Sequence, residues 1–368
     1  MTTPTFTVNA PASAREATNP LGLVRLDHIQ VCGTVADLEP LYLRMGFARV
    51  GCSRSQGGAL HHLRQNRMDI LLGETDGSHP CGRYAAAHGA GVNALAFEVE
   101  DVPGALQEAV RRGAQVRMEP RRTEFDGGAL TQAAIQGFGD VWNLFLTREG
   151  NAPFLPGLEP DPRPAACRPG LLRVDHLTNN VGVGEMDRWV AFYEQVYGFA
   201  VVREFHIRGA LGTGLTSKVV QSSNGRIIIP INEPTDRKSQ VQEFVDRHRG
   251  PGVQHVAMSA SDILQTLPIL RGEGFRFLTN PTTYYDLLPG RIQAGGYRVA
   301  EDLAGIQELG ILIDGDASGY LLQIFTEDQI GPLFFEIIQR KGNRGFGEGN
   351  FKALYDSIEL DQRQRGVI

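Results

Sequence analysis

The chain predicts an α+β fold: two domains, each built from paired βαβββ modules, with a C-terminal helix closing the second. Three observations carry this. The first is length, because 368 residues fill two or three domains of ordinary size. The second is a seam over residues 148–170, REGNAPFLPGLEPDPRPAACRPG, with prolines at 153, 156, 160, 162, 164 and 169. Each proline fixes φ and lacks a backbone donor, so the segment cannot enter a helix or a sheet interior. The third is internal repetition. LDHIQVCGTVADLEPLYLRMGF (26–47) reads as strand, turn, amphipathic helix and glycine stop, and VDHLTNNVGVGEMDRWVAFYEQVYGF (174–199) repeats that order down to the Asp-His pair and the terminal Gly-Phe. GVNALAFEVEDVPGALQEAVRRGAQV (91–116) likewise matches GVQHVAMSASDILQTLPILRGEGFRF (252–277), and GDVWNLFLT (139–147) matches SGYLLQIFT (318–326).

In chain order the expected organisation is a disordered lead-in (1–20), a first domain (21–150), a proline-rich linker (151–170) and a second domain with a closing tail (171–368). The lead-in is polar and lacks the apolar core of a secretory signal. ADLEPLYLRM (36–45) and ILQTLPIL (263–270) have helical spacing, weakened by Pro40 and Pro268. IIIPINE (227–233), YLLQIFT (320–326) and FFEIIQR (334–340) are short, β-branched or aromatic, and read as buried strands. In the tail (349–362), Phe351, Leu354, Tyr355 and Ile358 share one helical face and should pack back on the body, since an acidic polar face argues against a membrane surface.

Composition removes several classes. With 36 basic and 42 acidic side chains the net charge is −6, which disfavours nucleic acid as a partner. No apolar run is long enough to span a membrane. The four cysteines, at 32, 52, 81 and 167, form no CxxC pair. They are expected to be free thiols in a reducing cytoplasm, with neither a zinc site nor disulfides.

The nine histidines are the natural place to look for a metal. None lies in an HxD, HxE or HExxH pattern. His61, His62, His79 and His88 are expected to be surface residues that bind no metal. GAGVNA (89–94) imitates a dinucleotide glycine motif, but it precedes a strand where that motif should follow one. His176 and His255 are different: each sits in the first strand of a module, where period 2 groups it with Val174 and Thr178, or with Val253 and Ala257. Strands at equivalent places in paired modules can face each other, which would bring the two imidazoles together. Glu336 lies between Phe335 and Ile337, an expensive place for a carboxylate unless it is paired or bound to a cation. Two histidines and a carboxylate are the facial set that holds non-haem Fe(II) with positions left open. The alternative is a pair of hydrogen-bonded core histidines with Glu336 facing solvent from an edge strand. In the first half His28 matches His176, but Ala94 stands at the place of His255. One metal, in the second half, is therefore expected.

From residue 174 onward the stretches VDHLTNNV, TGLTSKVV, IPINEP, KSQVQEF, GPGVQHVAM, TYYDLL, LGILIDGD, YLLQIF, FFEIIQRKG and GFGEGNFKALYDSIE follow one another in a fixed order. The chain resembles the 4-hydroxyphenylpyruvate dioxygenase family of the vicinal oxygen chelate (glyoxalase-like) superfamily, and the likeness covers nearly its whole length. The resemblance implies Fe(II) on His176, His255 and Glu336. It implies a substrate pocket in which Phe325 and Phe351 sandwich the ring and Phe334 adds apolar wall. Ser217, Asn232, Gln240 and Gln323 would hold the phenol end, with Asn350 nearby and Phe346 on the closing tail. Gln254 also matches the family pattern, although strict alternation turns it away from His255. The implied reaction takes 4-hydroxyphenylpyruvate and O₂ to homogentisate and CO₂, as in tyrosine catabolism. Family members are commonly homo-oligomers, so a dimer or tetramer is expected. 4-Hydroxymandelate synthase shares substrate and ligands, but it departs from IPINEP and typically carries Ile at the place of Phe351. An extradiol ring-cleaving enzyme would not explain GFGEGNF, and a metal-free binding protein on the same fold would need no His-His-Glu set.

Overall fold

On either side of the seam, the short apolar runs condense into two sheets of nine strands each, built to one plan. The structure is a computed structural model that describes residues 7–9, 17–55, 58–162, 170–208 and 214–354. The first half comprises β1 (Thr7–Asn9), β2 (Leu23–Cys32), α1 (Val35–Arg44), β3 (Ala48–Ser55), β4 (Gly58–Gln65), β5 (Met68–Thr75), α2 (Pro80–His88), β6 (Gly91–Val99), α3 (Val102–Arg111), β7 (Val116–Phe125), β8 (Gly128–Gln136), β9 (Trp142–Gly150) and, within the seam, β10 (Glu159–Pro160). The second half comprises β11 (Leu171–Asn180), α4 (Met186–Tyr197), β12 (Ala200–Arg208), β13 (Gly214–Gln221), β14 (Ile228–Pro234), α5 (Gln240–His248), β15 (Gly252–Ala260), α6 (Ile263–Gly272), α7 (Thr282–Gly295), α8 (Leu303–Glu308), β16 (Leu312–Asp316), β17 (Gly319–Phe325) and β18 (Phe334–Lys341). Residues 348–354 are again helical.

The strand orders are β10-β3-β4-β5-β2-β6-β9-β8-β7 and β1-β12-β13-β14-β11-β15-β18-β17-β16, so the halves correspond strand by strand. In each curled sheet the central strand, β2 or β11, runs parallel to β5 or β14 and antiparallel to β6 or β15. The next pair, β6–β9 or β15–β18, is parallel again. Helices from both halves share a core between the sheets. Tyr42 of α1 meets Phe335 of β18 edge-on with ring centres 5.9 Å apart, and Phe138 packs on Trp189 of α4 at 4.8 Å. Pro40 and Pro268 both lie inside helices, each sixth from its cap residue. A missing donor and a ring clash cost about 3 kcal/mol. Burial of Leu38, Leu41 and Tyr42 in α1, and of Ile263, Leu267 and Leu270 in α6, offsets that cost.

Several expectations need correction. The lead-in is not wholly disordered, because Thr7–Asn9 pair with Glu204–His206 at the outer edge of the second sheet. Glu159 and Pro160 of the linker pair with Gly51 and Cys52, on the outer edge of the first sheet where a proline is tolerated. Cys32 and Cys81 are not free thiols: they form a disulfide joining the end of β2 to the start of α2, with Cα atoms 5.5 Å apart. The partners are 49 residues apart in sequence, so no local pattern announces them. Cys52 is free, and Cys167 lies outside the described residues, as do Tyr355 and Ile358 of the tail.

Of the four histidines expected at the surface, only His79 is exposed, where its ring caps α2. His61, His62 and His88 are buried, because both faces of β4 are covered and α2 packs against the second half. Each pairs with one carboxylate: His61 with Glu39 at 3.0 Å, His62 with Asp69 at 2.6 Å and His88 with Asp140 at 2.8 Å. No helix among the described residues is long and apolar enough to cross a membrane.

Candidate metal centre and substrate cavity

His176 on β11, His255 on β15 and Glu336 on β18 come from three adjacent strands. Their potential ligand atoms all lie within 4.8 Å of one another, and they are the one such group of three among the described residues. The Nε2 atoms of His176 and His255 stand 3.1 and 3.4 Å from Glu336 Oε2. All three side chains are buried, and Glu336 Oε1 has no hydrogen-bond partner. An unpaired oxygen on a buried carboxylate is costly, and a bound cation would resolve it. The outer nitrogens are already committed. His176 Nδ1 bonds Asp175 Oδ1 at 2.9 Å, and His255 Nδ1 bonds Gln254 Oε1 at 3.0 Å. With each Nδ1 bonded outward, both Nε2 atoms face the carboxylate, and these are the nitrogens a metal would take once it displaces the protons they share with Glu336. The residues therefore fit a divalent metal of the non-haem iron type.

Without a metal, charge and shared protons hold the three groups together. Burial pushes the Glu336 carboxyl up, but the charges and hydrogen bonds of His176 and His255 outweigh it and hold the group at about 2. Burial pushes His255 down. His176 feels the same burial, yet Glu336 and Asp175 carry it up to about 9. Asp175 is held well below the usual carboxylate range, because hydrogen bonds from His176 and Arg340 overcome the effect of burial.

Two β-bulges build this arrangement. Along β11 the partners run Val174↔Met258 and then His176↔Ala257, which leaves Asp175 as the extra residue. Between Thr178↔His255 and Asn179↔Val253 the extra residue is Gln254. A bulge re-aims a side chain that strict alternation would turn away. Gln254, expected to point away from His255, therefore lines the same cavity and bonds its ring.

The first half repeats the frame without the set. Skipped residues mark the same bulges at Asp27 and Asn93. His28 Nδ1 bonds Asp27 at 2.7 Å. Ala94 occupies the place of His255, and Leu144, aligned with Ala96 as Glu336 is with Ala257, occupies the place of the carboxylate. Leu155, Phe154 and Leu158 of the linker fill that interior against Leu71, Leu130 and Leu146.

In the second half the corresponding interior is a cavity of about 320 Å³. His176, His255 and Glu336 form one end. Ser217 on β13, Asn232 on β14, Gln240 on α5 and Gln254 supply polar groups, and Phe325, Phe334, Phe346 and Phe351 supply aromatic wall. Phe334 stacks on the His255 ring at 4.9 Å, and Phe346 meets His176 edge-on at 5.4 Å. Ser217 is fully buried, and its hydroxyl has no partner within the protein.

Gln323 and Asn350 do not line this cavity. The tail backbone lies against Gln323: Gly347, at φ 73°, has no room for a Cβ beside that amide. Asn350 faces away, accepting hydrogen bonds from the Tyr284 hydroxyl at 2.7 Å and from Arg291 at 3.1 Å. Sequence reasoning did not assign the further wall residues Phe205, Leu215, Val241 and Leu278, which read as ordinary core. Nor did it assign Asp175 and Arg340, although the repeated Asp-His pair and an arginine four residues after Glu336, matched by Arg148 four after Leu144, were visible signals.

Two halves of paired modules define a glyoxalase-type fold whose second half holds a buried His-His-Glu cluster compatible with a metal. Residues 173–289 match the model of the Glyoxalase/Bleomycin resistance protein/Dioxygenase superfamily, and residues 17–154 match that of the hydroxyphenylpyruvate dioxygenase N-terminal domain. A 4-hydroxyphenylpyruvate dioxygenase from a Pseudomonas species is 40% identical, over 95% of this chain and 98% of that protein. A Vibrio vulnificus protein named Hemolysin VllY is also 40% identical, over 96% and 99%. Among solved structures, a triply substituted 4-hydroxymandelate synthase from Streptomyces coelicolor superposes with a TM-score of 0.79 at 26% identity, covering 93% of this chain and 99% of that one. The chain belongs to the 4-hydroxyphenylpyruvate dioxygenase family.

Proposed function

We propose that the protein is an Fe(II)-dependent dioxygenase that converts 4-hydroxyphenylpyruvate and O₂ to homogentisate and CO₂. The observation that carries this reading is the buried His176–His255–Glu336 set, with its unpartnered carboxylate oxygen, at one end of an aromatic-walled cavity. These three residues would hold Fe(II). Held there, Fe(II) would supply the redox chemistry that couples loss of CO₂ from the 2-oxo acid to ring hydroxylation by O₂. The chain supplies orientation and dryness. Phe325 and Phe351 flank the aryl ring, while Ser217, Asn232 and Gln240 give its phenol end hydrogen-bonding partners. Phe346 and Phe351 keep water from the metal side, and the Asp175 and Gln254 contacts keep both imidazoles in the ligating tautomer.

A second reading rests on the structural neighbour, a 4-hydroxymandelate synthase. Product analysis separates the two. Protein loaded with Fe(II) and given 4-hydroxyphenylpyruvate in air should release homogentisate and CO₂ in equal amounts. Formation of 4-hydroxymandelate would overturn the ring-hydroxylation reading.

A further inference from the structure

We propose that Arg340 is a positioning residue that couples closure of the C-terminal tail to the orientation of the metal ligand His176. The inference rests on the metal-site reading above. Arg340 follows Glu336 by four residues on β18, and its guanidinium, largely buried, is shared between two masters. Nη2 and Nε donate to Asp175 at 2.7 and 2.9 Å, and Asp175 in turn accepts from His176 Nδ1 at 2.9 Å. Nη1 donates to the Gly345 carbonyl at 2.6 Å, and the guanidinium carbon lies 5.5 Å from the centre of the Phe346 ring. Phe346 closes the circuit with its edge contact to His176 at 5.4 Å. The tail then continues to Phe351 and Leu354, both on the cavity wall.

The first half contains the same circuit. Arg148 donates to Asp27 at 2.8 and 2.9 Å and to the Phe154 carbonyl at 3.0 Å, with its guanidinium 4.6 Å from the Phe154 ring centre. Asp27 bonds His28, and His28 lies 5.1 Å from Phe154. That half has no facial set, and its interior is packed with linker side chains. The frame is therefore a device for pinning the segment after the central sheet strands against the interior of its own half. Only in the second half is the pinned histidine also a ligand. A metal that fixes His176 there favours the Asp175–Arg340 geometry and hence the closed tail. By linkage, the closed tail favours metal binding by the same factor. A planar guanidinium can serve a carboxylate and a carbonyl at once, whereas an ammonium on a flexible stem cannot hold both in fixed geometry.

The test uses the full chain with Co(II) as the probe, read by optical titration and by tryptic cleavage after Arg344 and Lys352. In the wild type, Co(II) should slow tail cleavage at least tenfold. Arg340→Gln should weaken Co(II) binding by about tenfold at most, the low end of the 10–100-fold range for a ligand's direct partner because Arg340 acts through Asp175, and abolish the metal-dependent protection. Arg340→Lys, the milder variant should the first fail to fold, should recover most of the affinity through Asp175 but not the protection. Arg148→Gln, the same change in the first half, should alter neither. Arg340 variants that keep full metal-dependent protection would overturn the coupling. So would a wild-type tail that is cut equally with and without bound Co(II), which would spare the metal site. A wild type that binds no Co(II) would instead remove the metal-site reading on which the proposal stands.

Discussion

Gln254 marks a division of labour that one substitution can resolve. Its Oε1 accepts the His255 Nδ1–H at 3.0 Å, and its bulge position also places it on the cavity wall. Gln254→Leu keeps the volume and removes the acceptor. In the metal-free protein the freed imidazole can change tautomer or turn towards Glu336, so most of the loss is recovered there. Once a metal holds Nε2 that escape closes, and a buried N–H stands unpaired at about 1–3 kcal/mol. The cost therefore falls on the metal-bound state, and metal affinity should drop about 10–100-fold, equivalent to about 1.4–2.7 kcal/mol. Competitive titration of Co(II) against a chelator measures this directly, and thermal unfolding of the metal-free variant checks that the fold is intact. An affinity within twofold of the wild type, with a raised KM for the 2-oxo acid, would refute the reasoning and make Gln254 a substrate contact alone.

Other outcomes follow from single residues. Ser217→Ala removes a buried hydroxyl with no partner in the protein. It should leave unfolding free energy unchanged and weaken 4-hydroxyphenylpyruvate binding five- to tenfold, about 1–1.4 kcal/mol; an equal loss with phenylpyruvate, which lacks the phenol oxygen, would remove Ser217 from the phenol end. Burial, against hydrogen bonds such as that from the Gly349 amide, lifts Asp314 from 3.8 to about 6. Its folded value exceeds its unfolded one, so its contribution to stability is complete below 3.8 and is lost as pH rises through about 6, with a ceiling of about 3 kcal/mol. Asp314→Asn should flatten that part of the stability-versus-pH curve measured by urea unfolding, and an unchanged slope would contradict the assignment. Cys32→Ser opens a link between residues 49 apart in sequence. It should cost about 4 kcal/mol on the chain-entropy scale, and an unfolding midpoint indifferent to reductant in the wild type would count against the bond.

The fold and the His176–His255–Glu336 cluster were legible because both follow from repetition and alternation. Equivalent strands carry equivalent residues, so His176 and His255 could be paired, and Ala94 could be recognised as a missing partner without coordinates. Glu336 stood out as a charge in an apolar strand. The bulges were not legible: alternation assumes a regular pleat, and one extra residue at Gln254 or Asp175 reverses which way a side chain faces. Long-range partners also left no local trace. Cys81 reaches Cys32 only once α2 is placed, and Arg340 serves Asp175 across the sheet. His61 and His62 looked solvated because a strand at this position normally has one wet face, whereas here α1 covers one side and the linker residue Phe154, stacked on His62 at 3.7 Å, covers the other. Gln323 and Asn350 matched a family pattern that says nothing about tail backbone lying against Gln323, or about Tyr284 and Arg291 bonding Asn350.

Metal stoichiometry tests the central claim most directly. Metal-depleted protein titrated anaerobically with Fe(II) should bind one equivalent per chain, and Glu336→Ala, with an unchanged far-UV spectrum, should bind none. Two equivalents in the wild type would show that the first half is not silent, and retention of the metal by Glu336→Ala would contradict the His176–His255–Glu336 site itself.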